Sequence, residues 1–200
     1  MNILNHDVKN PIVFGCYGAA RWEKGTDILQ AAIRRVFEEN PEIPAKFVFQ
    51  WIDDFNDEHG RRVVLDTLLS EHPRVEVIGR YFEGNEYERR LAATDVMVLP
   101  YRKPYQLRVS RVVIEAMLSG MPVIATRGTT LFEQAEEYGV VVGCEEGNAE
   151  SLAEAMMEVV ERFEMLRLNA QERASVAAGF FSVKYFRELL IGLDIKEMVR

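Results

Sequence analysis

Arg21 and Lys24 lie just before an amphipathic stretch, in the segment Y17-G-A-A-R-W-E-K-G-T-D27. A helix start leaves backbone N–H groups without partners, and two cations beside them attract the same anion. The segment therefore favours a phosphate cradle. On spacing alone it is also typical of solvated loop charges around a turn at Gly25, since Lys and Arg are mostly exposed. The glycine spacing differs from the dinucleotide fingerprint G-x-G-x-x-G, which argues against an NAD site.

The second candidate is the carboxylate of Glu115, within S110-R-V-V-I-E-A-M-L-S-G-M-P-V-I-A-T126. Arg111, Glu115 and Ser119 recur every four residues and form one polar stripe of a predicted helix. One interpretation is an exposed ion pair between Arg111 and Glu115, worth about 0.3 kcal/mol. The other is a ligand contact. The helix begins at Ser110 with its positive end toward the expected cleft, so Glu115 could accept hydrogen bonds from a sugar diol such as ribose.

These candidates belong to a chain in which short apolar runs alternate with amphipathic stretches. The alternation predicts a three-layer, doubly wound α/β fold of the Rossmann type, with a six-stranded, mostly parallel sheet and a helical C-terminal tail. The predicted strands are residues 11–17, 46–52, 75–78, 96–100, 122–125 and 140–142. The predicted helices are residues 25–39, 57–70, 85–93, 110–119, 130–137 and 149–163, followed by helix to the end with a weak break near Gly179.

The order of these elements predicts where chemistry takes place. In a doubly wound fold, ligands bind at the carboxyl ends of the strands. Polar residues occupy the loops there, and both candidate groups fall at this edge. We divide the chain into a nucleotide-binding domain, residues 1–179, and a C-terminal helical tail, residues 180–200, that packs on it.

Composition narrows the remaining functions. With 200 residues, 48% of them hydrophobic, the chain can bury one sizeable core. Its net charge of −8 argues against nucleic-acid or anionic-membrane binding by the domain itself. The three histidines lack metal-ligand spacing, so no metal site is expected. Cys16 and Cys144 lie in strand-like runs and indicate reduced core thiols in a cytoplasmic protein. The apolar runs are shorter than the roughly 20 residues that a membrane span needs.

Six motifs, two of which are the segments already described, together resemble a known family. They occur in order between residues 18 and 155: G18-A-A-R-W-E-K-G25, G79-R-Y-F, A93-T-D-V-M-V-L-P-Y-R102, the Glu115 segment quoted above, E137-Y-G-V-V-V and N148-A-E-S-L-A-E-A. Each is weak alone, but the ordered set is specific. The chain resembles the C-terminal, nucleotide-sugar-binding domain of GT-B glycosyltransferases, especially family 4.

The resemblance implies a role for each matching residue. Arg21 and Lys24 resemble the family's pair that neutralises the donor diphosphate, in the loop that Gly18 opens. Glu115 is similar to the acidic residue that hydrogen-bonds the ribose hydroxyls. The donor would be a UDP- or GDP-linked sugar, which is a substrate, and no separate cofactor is implied.

The remaining positions match less closely. Ser110 and its helix start correspond to a backbone phosphate contact, and Arg80 and Tyr81 to the loop beside the nucleobase. Leu107 stands where relatives commonly carry a Glu near the donor sugar. Arg111 stands where they often have Gly, and it could supply a side-chain contact instead.

The family's enzymes have two such domains, so the resemblance implies a missing N-terminal, acceptor-binding domain. The chain alone is then expected to be inactive, and any peripheral membrane association would involve only the full-length enzyme. Two other interpretations stay open. One is a noncatalytic interaction module of degenerate GT-B type, which the substitutions at Leu107 and Arg111 favour. The other is a sugar-nucleotide epimerase of the same architecture, which the ordered motifs fit less well.

Overall fold

The computed structural model describes residues 10–105, 107–108 and 110–184. Its strands, in chain order, are β1 (Ile12–Cys16), β2 (Ala45–Gln50), β3 (Phe55–Asn56), β4 (Arg62–Val63), β5 (Val75–Ile78), β6 (Val96–Leu99), β7 (Val123–Thr126) and β8 (Val141–Cys144). Within this part of the chain, six strands form one parallel sheet in the order β5-β2-β1-β6-β7-β8. The predicted doubly wound sheet is thus confirmed. The strand order reverses between β1 and β6, which places the topological switch point there.

Helices connect the parallel strands. They are α1 (Thr26–Glu39), α2 (Thr67–Ser70), α3 (Glu86–Ala92), α4 (Arg111–Leu118), α5 (Thr130–Tyr138) and α6 (Ala149–Phe180). Two short 3₁₀ turns, Trp22–Lys24 and Lys103–Tyr105, lie in the loops that follow β1 and β6. These two loops flank the switch point, so the sequence segment that contains Lys24 lies where ligands bind in such folds.

Apolar side chains cover both faces of the sheet. On one face the strands pack against α1 and α6, through residues such as Ile33 and Met156. On the other face they pack against α4 and α5, through residues such as Val113 and Leu131. Every residue of β6 and of β7 is buried, as expected for strands covered on both sides. This packing holds the ends of β1 and β6 rigidly beside each other.

The predicted helix at residues 57–70 is wrong. The first half of that stretch belongs to an antiparallel hairpin of β3 and β4, and only α2 is helical. The Asp57 carboxylate accepts hydrogen bonds of 2.9 Å from the backbone N–H groups of His59 and Arg61. Gly60 adopts a positive φ of 76°. This local turn chemistry competes with helix formation, and it prevailed over the spacing of the apolar residues.

Helix α6 is one continuous helix from Ala149 to Phe180. It joins the predicted helix at residues 149–163 to the helical stretch predicted after it, and it ends next to the predicted break near Gly179. Residues 185–200 lie outside the described residues, so the packing of the C-terminal tail stays a prediction. In the described part of the chain, no helix combines the length and apolar character needed to cross a membrane.

Both cysteines are buried in the core and unpaired. Burial raises the pKa of the Cys16 and Cys144 thiols from 9.0 to about 11. Unfolded thiols would ionise near pH 9, so their contribution to stability is complete below pH 9 and is lost as pH rises toward 11. We expect iodoacetamide at pH 8 to modify neither thiol in the folded protein and both in denaturant, as read by intact mass. Fast labelling of the folded protein would contradict this burial.

Candidate functional site

The loop between β1 and α1 crosses the carboxyl end of β1, beside the switch point. Gly18 adopts a φ of +106°, and its backbone N–H donates a 2.6 Å hydrogen bond to the side-chain oxygen of Gln50. Further along, the Thr26 hydroxyl accepts from the backbone N–H of Arg21 at 3.2 Å and donates to its carbonyl at 3.3 Å. The exposed side chain of Arg21 therefore extends from an anchored backbone.

Lys24 folds back over the same loop. A Cβ added at Gly18 would lie 2.3 Å from the Lys24 Nζ, so a side chain at this position would displace the ammonium. Nζ also lies 5.9 Å from the centre of the Tyr101 ring. Burial lowers the pKa of Lys24; Cys16 partly offsets this effect and the nearby Arg21 adds to it. Neither Lys24 nor Arg21 has a hydrogen-bonded or ion-paired side-chain partner in the described part of the chain.

Arg102, in the loop after β6, holds the Trp22–Lys24 turn in place. Its guanidinium donates two hydrogen bonds of 2.8 Å to the Asp27 carboxylate and another to the Trp22 carbonyl. Its backbone N–H donates to the Glu23 carbonyl at 2.8 Å. Arg102 is only 8% exposed, and its charge is neutralised by the bidentate ion pair with Asp27. The turn that carries Lys24 is therefore fixed, while the Lys24 charge itself stays available.

Gln50, the last residue of β2, joins two loops at this edge. It is 3% exposed, and its amide nitrogen donates to the Arg80 carbonyl at 3.0 Å while its oxygen accepts from Gly18. The Arg80 guanidinium pairs with Glu86, at 2.7 and 3.0 Å, and Tyr81 is 68% exposed. Sequence reasoning missed Gln50. An amide ending an otherwise apolar strand was the available signal, because a buried amide needs partners.

Glu115 lies in the second turn of α4, and both of its carboxylate oxygens are engaged. The Tyr87 hydroxyl donates a 2.5 Å hydrogen bond to Oε2, and the Arg111 Nε lies 2.7 Å from Oε1. The Glu115 side chain is 23% exposed and that of Arg111 is 78% exposed. Burial, then the bond to Glu115, raises the pKa of Tyr87, so its hydroxyl stays a donor. The ion pair with Arg111 exists, but the carboxylate is largely covered.

Tyr101 connects the two parts of the site. It is 3% exposed below the Lys24 ammonium, and burial raises its pKa. Its hydroxyl interacts with the Ser110 side chain and lies within electrostatic range of Tyr87. Ser110 occupies the predicted N-cap position of α4 but makes no side-chain capping bond. The first backbone N–H groups of α4 have no intrahelical acceptor, as at any helix start.

The structure gathers most of the predicted residues at one edge of the sheet. Those on the loop after β1 or on α4, on the two sides of the switch point, are Gly18, Arg21, Lys24, Ser110 and Glu115. Arg111 also lies on α4, but its charge pairs with Glu115. The Arg80 guanidinium pairs with Glu86, and the Tyr81 ring is exposed. Among the described residues, no three His, Cys, Asp or Glu side chains cluster in a way that could hold a metal ion. This edge offers two cations that have no counter-charge among the described residues, the N–H groups at the start of α4, and a carboxylate oriented by Tyr87.

Comparison with known families decides the assignment. The family model described as glycosyl transferases, group 1, matches residues 11–162, which is most of the chain. The chain belongs to the group 1 glycosyl transferase family. No curated protein matches this sequence.

Several solved structures share the fold of this chain. The Anabaena protein HepE, in complex with UDP-glucose, is 22% identical with a TM-score of 0.66, over 93% of this chain and 50% of HepE. Sucrose-phosphate synthase from Thermosynechococcus elongatus is 22% identical with a TM-score of 0.66, over 98% of this chain and 47% of that protein. This chain thus spans about half the length of these relatives.

One similar structure is itself a single domain. It is the C-terminal domain of the group 1 glycosyl transferase LpcC from Francisella tularensis, with 19% identity and a TM-score of 0.60. The match covers 88% of this chain and 89% of that domain. At these identities the likeness concerns the fold alone, which is that of a GT-B C-terminal domain, as predicted.

Proposed function

We propose that this chain binds the UDP- or GDP-linked sugar donor of a glycosyltransferase. The observation that carries the proposal is the pair Arg21 and Lys24. They are two neighbouring cations without a counter-charge in the described residues, at the switch point of a doubly wound sheet. A protein with net charge −8 has to bind an anion through such local groups. The UDP-glucose held by the structurally similar HepE supports a ligand of this class.

Each side of the site then receives one part of the donor. Arg21 and Lys24 bind the diphosphate, and Gly18 allows it to approach the backbone. The start of α4 at Ser110 supplies N–H groups to the same phosphates. Glu115 accepts the ribose hydroxyls.

The rim of the site receives the base. The Arg80 and Tyr81 loop is anchored by Gln50 to the phosphate loop, and its exposed ring and peptide groups flank the nucleobase. Arg111 lies between the solvent and the Glu115 carboxylate that binds the ribose.

This arrangement suits glycosyl transfer because the leaving diphosphate gains negative charge as the glycosidic bond breaks. Cations held in place before the reaction stabilise that charge without reorganising. Arg102 contributes indirectly, since its pair with Asp27 orders the turn that presents Lys24. The acceptor and the rest of the catalytic groups would lie on a second, N-terminal domain, so this chain alone would bind donor without transferring sugar. Residues 1–179 form the donor domain in this proposal.

The direct test is a thermal-shift panel of UDP, GDP, ADP and CMP with the chain as it stands. At tenfold excess over Kd, a ligand of the folded state adds about 1.4 kcal/mol of stability. For a chain of this size that raises Tm by about 3 to 6 °C. We expect UDP or GDP to produce this shift, in a way that grows with concentration. If calorimetry shows no binding of any of them at millimolar concentration, the chain is instead a noncatalytic interaction module of this fold.

A further inference from the structure

Two side chains hold the Glu115 carboxylate in very different ways. Tyr87, on α3, packs in an aromatic cluster with Tyr17 and Phe82, its ring centre 6.1 Å from that of Tyr17 and 5.8 Å from that of Phe82. Its hydroxyl reaches Glu115 across 28 residues of sequence at 2.5 Å. A partly buried ring packed on two others has little freedom to move away. Tyr87 therefore fixes the direction of the carboxylate.

Arg111 is the opposite kind of partner. Its side chain is 78% exposed, and it contacts Glu115 only as a neighbour one helical turn away. Its one other contact among the described residues is a distant approach to the Tyr87 ring, 5.8 Å from guanidinium carbon to ring centre. Exposed pairs of this type are weak and exchange readily with solvent. Arg111 is therefore a removable cover on an oxygen that Tyr87 does not use.

We infer that Tyr87 is a positioning residue for ribose recognition and that Arg111 is a gate that must leave Glu115 before the ribose hydroxyls can bind. The inference rests on the proposed function. A carboxylate accepts a vicinal diol with both oxygens at once. Among the described residues, Tyr87 is the one hydrogen-bond donor to Oε2 and leaves a further acceptor site on that oxygen, whereas Arg111 covers Oε1. Ribose and Arg111 then compete for the same atom.

The test compares UDP and GDP with their 2′,3′-dideoxy counterparts by calorimetry. The dideoxy nucleotide keeps the base and diphosphate but lacks both hydroxyls. The Kd of the dideoxy form divided by the Kd of the ribose form therefore isolates the ribose contact. Tyr87→Phe keeps the ring and should lower this ratio about five- to tenfold by weakening only the ribose form. Arg111→Ala should raise the ratio about twofold. Tyr17→Phe is the matched control, since it removes a hydroxyl of the same cluster that bonds Thr94 at 2.6 Å instead; it should leave the ratio unchanged.

Each other outcome is decisive. An unchanged ratio in Tyr87→Phe overturns the positioning role. A loss of affinity in Arg111→Ala that is the same for ribose and dideoxy forms overturns the gate and makes Arg111 a phosphate contact. If the parent protein binds neither UDP nor GDP, the proposed function fails and this inference fails with it. If the parent binds one of them but shows no preference for ribose, only the inference fails.

Discussion

Replacing Lys24 by alanine is expected to weaken the binding of UDP or GDP by about 1.5 to 3 kcal/mol, the usual effect of losing a hydrogen bond to a charged group. The physical reason is that the Lys24 ammonium is partly desolvated and lies against Gly18 without a counter-charge in the described residues. A bound anion would stabilise the charged ammonium and so replace the solvation that burial has removed. Calorimetric titration of parent and variant measures the effect, and circular dichroism checks that the variant is folded.

Lys46→Ala provides the control for losing one positive charge. Lys46 lies at the amino end of β2, at the edge of the sheet opposite the candidate site, and pairs with Glu76 at 2.9 Å. Its removal changes the net charge as Lys24→Ala does, but it should leave nucleotide affinity within about 0.5 kcal/mol, as expected of a residue remote from the ligand. Equal affinities of the Lys24 and Lys46 variants for UDP and GDP would show that the diphosphate does not bind in this loop.

Gly25→Ala is expected to destabilise the fold by about 2 to 4 kcal/mol. Gly25 ends the turn that carries Lys24, with a φ of +66°, and a Cβ there would lie 2.0 Å from the carbonyl oxygen of Pro100. Both the left-handed backbone and the close approach of two loops exclude a side chain. Urea denaturation followed by fluorescence measures the loss.

Gly147→Ala separates the two causes. Gly147 has nearly the same φ, +68°, but a Cβ there would have no atom within 4 Å. This variant should therefore show only the cost of the left-handed conformation, about 1 kcal/mol. If the Gly25 and Gly147 variants lose the same stability, the contact between the Lys24 turn and Pro100 has no role in holding the loop.

Much of the architecture was readable from local patterns. The predicted strand at residues 96–100 agrees with β6 within a residue, because buried parallel strands are continuous apolar runs. The predicted helix at residues 110–119 agrees with α4 equally well. The stretch at residues 57–70 was not readable in this way. Its leucines and valines have a helical spacing, yet the hydrogen bonds of Asp57 and the positive φ of Gly60 form a hairpin turn. Local hydrogen bonds from backbone N–H groups to the Asp57 carboxylate outweighed a weak apolar periodicity.

By itself, the sequence determined the alternation of strands and helices, the polar loops at the strand ends and the types of groups in the candidate site, including Lys24 and Glu115. Each depends on neighbours within a few residues. Only the tertiary structure decided the strand order, the tie from Gln50 to Gly18 across 32 residues, and the bond from Tyr87 to Glu115 across 28. These contacts join residues that only the packed sheet brings together, and no local spacing encodes a distance between separate elements. The burial that lowers the pKa of Lys24 and the Tyr87 hydrogen bond that orients Glu115 both exist only in the assembled core.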